Sequence, residues 1–459
     1  MSVAPSDEEL NSAAIILRSA HPSLGIGKLL AQLKLDNPEW SISEKRFKRF
    51  LPRPSSSSSE KGQGDGEVNG GGSGSGSSNV TEVNQKDGGL IAQTGIDTFL
   101  DIKQIAPKVK VKMFKDGKGK GLVVREKLQM GEMIWQEDPW IATNDISLTQ
   151  YLTSREMCSQ CLTLFPQPNP PLSVPCTFCG EAQFCNRLCY SKAVKGSSGH
   201  HDLLCPGQNK EVKSILKLIQ SKQNRDLQAV IKIIAKWRGE REWGSSSARK
   251  EIEDRIWNSM ARVNQRTKEE ERREWPFIAK DRLEEWRLTH LLILNVLNPS
   301  PSDDNYKPFQ RLLQSKKSRL IPLTKEEEER WFSFESFLEL LGLVGLNQES
   351  SGGLYALHSH LNHSCDPNVQ VRNLPKGWTP PTTLPAELPP PMTAQNRGTN
   401  KLTIIAKKTI HPGDELLVSY VDQRLDYSER RERLREQYGF YCHCTRCKKE
   451  QVEYSKSKA

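Results

Sequence analysis

At 459 residues, with 36% hydrophobic and 27% charged side chains, the chain is long enough for about two to four domains and a substantial core. Its most apolar stretches, Leu291 to Leu297 and Leu340 to Leu346, are far too short to cross a bilayer, so a soluble protein without membrane contact is expected. The net charge of +10 points weakly toward acidic partners such as chromatin, against the plainer reading of a solvated basic surface.

The amino terminus, Met1 to Leu10, is acidic and lacks an apolar core, so no secretory signal is expected and the cysteines are read as reduced thiols. Residues 1–53 read as a small three-helix module. Leu10, Ala13, Ile16 and Leu17 share one helical face, and Leu29, Leu30 and Leu33 mark a second helix. A third is announced by the capping-box pattern Ser41-x-x-Glu44 ahead of Arg46, Phe47, Lys48 and Arg49. This basic, aromatic helix suits contact with DNA, although helical interaction modules share the pattern. Between Pro54 and Gly89 the composition collapses to serine, glycine and a few charges, and 54–106 is read as a flexible linker.

From Val109 to Trp140 short strands alternate with glycine turns, including Gly117-Lys118-Gly119-Lys120-Gly121. A lone glycine run is commonly just a tight turn, and no phosphate-binding helix follows it. Residues 158–205 hold Cys158-x2-Cys161, Cys176-x2-Cys179, Cys185-x3-Cys189 and His201-x3-Cys205, eight ligands for two four-coordinate sites. The rival reading of these thiols is a disulfide framework, which suits a small secreted domain better than a large intracellular chain. Residues 206–345, with runs such as Glu251 to Trp257 and Asp281 to Leu294, read as charged amphipathic helices. Strands return from Lys401 to Tyr420, after a proline- and threonine-rich surface loop at 373–400. The last four cysteines are Cys365, in Asn362-His363-Ser364-Cys365, and the closing Cys442-x-Cys444-x2-Cys447. Spacing alone does not show that these four meet.

The Asn-His-Ser-Cys segment, the Gly413-Asp414-Glu415 to Ser419-Tyr420 strand and the Cys442–Cys447 run together resemble the SET domain and post-SET element of protein lysine methyltransferases. The eight-ligand cluster resembles a MYND zinc finger inserted into that domain, and the layout is most similar to the fungal branch that methylates histone tails. The resemblance covers roughly residues 107 to 447. It implies an α+β fold: a SET β-clip with a pseudoknot, split into 107–157 and 346–421, interrupted by the finger (158–205) and a helical insert (206–345), and closed by a post-SET zinc element and tail (422–459).

The resemblance further implies three structural Zn2+ ions, the third on Cys365, Cys442, Cys444 and Cys447, and S-adenosyl-L-methionine as cofactor. Lys118, Gly119 and Gly121 would lie along the cofactor, with Asn347 and Ser359 as further contacts. Asn362 and His363 would bind it through backbone and side-chain groups, and Phe440 would stack on the adenine. Tyr420 would be the catalytic tyrosine, with Tyr438 the other wall of the lysine channel. The implied substrate is a flexible lysine-containing tail, histone four favoured, in the nucleus and the cytoplasm, with the enzyme as a monomer. A proline-rich peptide at the finger is a further implied partner. Because the sequence ends twelve residues after Cys447, the cleft is expected to be more open than in relatives with a carboxy-terminal helical domain.

Closed four-ligand sites argue against a zinc hydrolase, and the nearby His358, His360 and His363 do not form His-Glu-x-x-His. Two rivals from other classes remain open. One is a MYND adaptor with an inert SET scaffold, and the other a nucleic-acid binder built on the basic amino-terminal helix.

Overall fold

A computed structural model describes residues 4–6, 9–11, 13–14, 17, 26–38, 40–50, 92–115, 118–166, 172–194, 201–271, 278–315, 320–349, 352–378, 393 and 396–458. These fall into two compact units, Met1–Ser78 and Asn79–Ala459. The expected linker core, 54–89, lies outside the described residues.

In the first unit the described residues of the apolar faces read from the sequence close on each other, Ile16 lying outside the described residues. Leu10, Ala14, Leu17, Leu29, Leu30, Leu33, Ile42 and Phe47 form one core, built on helices Ile26–Asp36 and Glu44–Phe50. One cap differs from expectation and another adds to it. Ser43, not Ser41, caps the last helix, its Oγ accepting from the Arg46 amide at 3.3 Å, because Glu44 is already helical. Ser6 and Glu9 make the reciprocal capping box instead: the Glu9 carboxylate accepts from the Ser6 amide (2.8 Å), and the Ser6 hydroxyl accepts from the Glu9 amide (3.2 Å).

The second unit begins earlier than the sequence suggests. Residues 92–106, assigned to the linker, are fastened into it: Gln93 bridges Arg262, Asp97 pairs with Arg255, and Asp101 caps the short helix Ile102–Ile105. Leu100, Ile102, Ile105 and the buried Ala106 end the run of small polar residues and pack this stretch against the core that holds Val109 and Leu122.

Next come β1 (Val109–Phe114) and β2 (Gly119–Val124), an antiparallel hairpin, then β3 (Met133–Glu137) and β4 (Ile141–Ala142). The finger contains the small hairpin β5 (Val174–Pro175) and β6 (Gln183–Phe184) and helix Arg187–Val194. Helices fill 206–347 as their charged amphipathic pattern predicts. Their core stacks Trp237 on Trp331 at 4.6 Å, with Trp257 edge-on to Trp331 at 5.3 Å. Asn224, Ser245, Thr324 and Ser333 cap four of these helices through their side chains. Helix Ser246–Asp254 runs into a π-helical turn, Arg255–Ser259, closed by the Met260 amide donating to the Arg255 carbonyl at 2.9 Å.

After the insert, β7 (Gln348–Glu349) and β8 (Gly353–Leu354) join β4 in a three-stranded sheet ordered β4-β8-β7. β9 (Asn362–His363) is followed by β10 (Val369–Pro375) and β11 (Arg397–Ala406), which form a second sheet, β10-β11-β3. Both strands of this hairpin reach into the expected 373–400 loop, whose stretch 379–392 lies outside the described residues. β12 (Leu417–Val418) runs parallel to β9, pairing Leu417 with Asn362 and Val418 with His363. Helices Tyr427–Tyr438 and Thr445–Lys458 close the chain. The architecture is α+β. No described helix is long and apolar enough to cross a membrane.

Candidate active site and metal centres

The glycines of the β1–β2 turn are required by neighbours. Gly119 sits at φ +71°, where its missing Cβ makes room for Thr94 Cγ2. A Cβ on Gly121 would come within 2.6 Å of Phe114 Cε2, 2.8 Å of Asn362 Nδ2 and 2.9 Å of Glu415 Oε1. Glu415, quoted in the sequence motif without a role, is the hub here. It pairs with Lys118 and accepts from Asn362 Nδ2 at 2.8 Å, while its backbone carbonyl accepts from Asn368 Nδ2 at 2.7 Å. Asn362 Nδ2 also donates to the Lys120 carbonyl at 2.8 Å, stitching β9 to β2.

His363 is fully engaged. Its Nδ1 accepts from the Tyr420 amide (3.0 Å), which places the ring proton on Nε2, facing Cys365 Sγ at 3.3 Å. The Asn362 amide nitrogen and both His363 ring nitrogens are therefore spent inside the protein. Of the expected contacts to a cofactor, only backbone groups and the Asn362 side-chain carbonyl are left to these two residues.

The Tyr420 hydroxyl donates to the Leu361 carbonyl at 2.6 Å, and its ring lies 4.7 Å from Tyr438 and 5.2 Å from His363. Phe440 stands 5.9 Å from the other side of His363. Burial, with the nearby Tyr438 and Glu415, raises the Tyr420 phenol above its usual range; burial and the Glu349 charge push Tyr438 up to about 12. Both phenols stay protonated at neutral pH.

These residues line one cleft of about 1430 Å³. Pockets for a single small ligand run to about 300–1000 Å³, so this one has room for two reactants. It collects every predicted cofactor and channel residue except Gly121, which lies directly behind its wall: Lys118, Gly119, Asn347, Ser359, Asn362, His363, Tyr420, Tyr438 and Phe440. Two of them face inward on other business. Asn347 Nδ2 donates to the Ala261 and Leu343 carbonyls (2.7 Å each), and its Oδ1 accepts from the Ala261 amide at 3.3 Å. The Ser359 hydroxyl donates to the Ala356 carbonyl at 2.8 Å. Sequence reasoning missed Ala92, Thr94 and Ala261, which also line the cleft.

The twelve ligand positions resolve into three groups, Cys158–Cys161–Cys185–Cys189, Cys176–Cys179–His201–Cys205 and Cys365–Cys442–Cys444–Cys447, each with its ligand atoms within 4.8 Å of one another. A tetrahedral zinc with Zn–S of about 2.3 Å has ligand edges of about 3.8 Å. The sulfur separations of 3.9 Å (Cys161–Cys185), 3.8 Å (Cys176–Cys205) and 3.4 Å (Cys365–Cys447) fit that ion. In the finger the pairs interleave, first with third and second with fourth. The last group adjoins the cleft, because Cys365 touches His363 and Cys442 follows Phe440 by two residues.

The chain is similar to several known proteins. A histone-lysine N-methyltransferase SET5 from Mycosarcoma maydis is 28% identical over 73% of this chain and 66% of its own length. The protein of the same name from Meyerozyma guilliermondii is 23% identical over 100% of this chain and 83% of its own length. A SET and MYND domain-containing protein of Dictyostelium discoideum is 29% identical over 31% of this chain and 38% of its own length. The solved SET domain of LSMT bound to lysine and AdoHcy shares 11% identity over 73% of this chain and 52% of that one, with a TM-score of 0.31. The SET domain model itself matches residues 119–421. That span opens at the glycine turn and closes just past Tyr420, with finger and helices carried inside it as insertions, and the chain belongs to the SET domain family.

Proposed function

We propose that the protein is an S-adenosyl-L-methionine-dependent protein-lysine methyltransferase acting on histone tails, with a lysine of histone four as the favoured target and chromatin as the place of action. One observation carries the reading: a single cleft joins the glycine turn, β9 and Phe440 to the paired rings of Tyr420 and Tyr438. The names of the fungal relatives support it.

Residues fit for the cofactor are Lys118 and Gly119 on the turn, Gly121 behind it, the backbone of Asn362 and His363, and the face of Phe440. Bound there, the cofactor supplies an electrophilic methyl group on a sulfonium centre. A lysine amine attacks only when neutral, and its ordinary pKa is about 10.4. Walls made of Tyr420 and Tyr438 desolvate the ammonium, which lowers that pKa and releases the proton to water. Tyr420 is not the base, since its own proton is committed to the Leu361 carbonyl. Its oxygen lone pairs remain to orient a polarised methyl group by weak C–H contacts, while the narrow walls hold the reactants in line.

Asn347 and Ser359, expected as cofactor contacts, act in this reading by shaping the wall. The zinc ions stay structural. Exposed Leu172, Phe178 and Leu188 on the finger suit an apolar, proline-containing peptide, and exposed Lys45, Lys48 and Arg49 on the amino-terminal unit suit DNA phosphates.

The test is transfer of radiolabelled methyl from S-adenosyl-L-methionine to core histones and to a nuclear extract, comparing the native chain with Tyr420→Phe. Label on a histone that is lost in the variant is expected. Label on a non-histone protein alone overturns the chromatin substrate. No label, with no cofactor binding by calorimetry, overturns the enzyme and leaves the peptide-binding adaptor.

A further inference from the structure

One part of the cleft wall is built from three separate pieces of chain. One is the glycine turn, the second is the end of the π-helical turn at 259–261, and the third is the segment 92–97, which precedes the matched SET span. That third piece is held almost wholly by the second. The Gln93 amide donates to the Arg262 carbonyl and the Arg262 amide donates back to Gln93, both at 2.9 Å. The Ser259 carbonyl, left without an intrahelical donor because the helix ends there, accepts from the Gly95 amide (3.1 Å), the Thr94 hydroxyl (3.1 Å) and Lys120 Nζ (2.7 Å). Asp97 is clamped by Arg255 at 2.6 Å, both side chains almost fully buried, and its amide donates to His360 Nε2 at 3.4 Å. Gly95 packs so closely on Asn258 that a Cβ would overlap its carbonyl oxygen.

These contacts fix Ala92 and Thr94 as lining residues, with the Thr94 methyl pressed on Gly119. The Lys120–Ser259 bond then makes the glycine turn, the π turn and the 92–97 segment one mechanical object. The Asn347 amide grips both backbone groups of Ala261, the next lining residue after the π turn.

We propose that residues 92–97 form a strap that completes the cofactor site, with Gly95, Asp97 and Arg255 as positioning residues and Thr94 as a direct cofactor contact. The inference rests on the methyltransferase reading. Cofactor binding and strap docking are coupled, so each strengthens the other.

The experiment is calorimetric titration of the full, zinc-loaded chain and of Gly95→Ala with S-adenosyl-L-methionine, beside amide hydrogen exchange of the native protein with and without it. We expect the variant to bind at least about tenfold more weakly. KM for the cofactor should rise in step, while kcat at saturating cofactor changes by less than about threefold, a split that a general loss of structure does not produce. In the native protein the amides of Gln93 and Gly95 should exchange at least about tenfold more slowly once the cofactor is bound. Equal affinity in the variant, or unchanged exchange at those two amides in the native chain, overturns the strap and leaves the enzyme standing. A native chain that does not bind the cofactor overturns both. If Gly95→Ala does not fold, the exchange arm alone decides.

Discussion

Replacing Asn347 by alanine separates a residue that touches the cofactor from one that holds the wall. The amide makes three hydrogen bonds, to the Ala261 amide at 3.3 Å and to the Ala261 and Leu343 carbonyls at 2.7 Å, from a side chain that is 7% exposed. Each such bond contributes about 1 kcal/mol net, and a buried group left without a partner costs about 1–3 kcal/mol more. Ala261 is only half-buried, so water replaces part of the loss, and the expected destabilisation is about 2–4 kcal/mol. Guanidinium unfolding followed by tryptophan fluorescence reads it directly, since Trp237, Trp257 and Trp331 stack in the adjoining core. Asn347→Asp, which puts a carboxylate oxygen against the Ala261 and Leu343 carbonyls in place of the donating nitrogen, should destabilise at least as much as alanine. An alanine variant with a native unfolding midpoint but weakened cofactor affinity would refute the reasoning and return Asn347 to the cofactor.

Cys447→Ser removes one ligand of the third group and should lower bound zinc from three ions to two by atomic absorption, leaving the finger loaded; methyl transfer should be lost with it, because Tyr438 and Phe440 lean on that element. Gly121→Ala forces a Cβ against Phe114, Asn362 and Glu415, so cofactor affinity by calorimetry should drop by about tenfold or more with zinc content unchanged. His360 is buried and neutral, its Nδ1 facing the Ala356 carbonyl and its Nε2 accepting from the Asp97 amide. Burial, reinforced by Lys120, holds its pKa well below the ordinary value of 6.5. The unfolded chain therefore takes up a proton near pH 6.5 that the folded chain refuses. Stability is fully present above that pH and falls below it by up to about 1.4 kcal/mol per pH unit. Urea midpoints between pH 7.5 and 5.5 should show this slope, made shallower by about one proton in His360→Gln.

Much of this site was legible because its chemistry is local. Cysteine pairs two or three residues apart announce metal ligands, and Asn362 to Cys365 with Tyr420 and Phe440 form dense motifs. What stayed hidden depends on where distant segments land. Spacing does not distinguish interleaved pairs in the finger from sequential ones, since either fills two sites. Residues 92–97 follow a low-complexity stretch, and only the partners Ser259, Arg262 and Arg255 show that they belong to the folded unit. Asn347 lines the cleft, but its amide is bonded to the Ala261 and Leu343 backbone, and where Ala261 lands has no sequence signature. Ser41 and Ser43 illustrate the smaller scale: both precede Glu44, and the choice between positions two residues apart is made by where the helix starts.

The parallel pairing of β9 with β12 also sets an order of events during synthesis. All eight ligands of the finger emerge within one stretch, 158–205, so that module can take up metal while the rest of the chain is still being made. The cleft cannot: it needs the glycine turn at 119, β9 at 362, β12 at 417 and the metal group that ends at Cys447. At about 5–20 residues per second, roughly 15–65 seconds separate the first of these pieces from the last. During that interval the insert can close its own core, whereas Leu122 and Val124 of the glycine hairpin wait for Leu361, Leu416 and Val418. The cleft is thus the last part of the unit to close, and its closure awaits the metal group that is complete only once residue 447 has emerged.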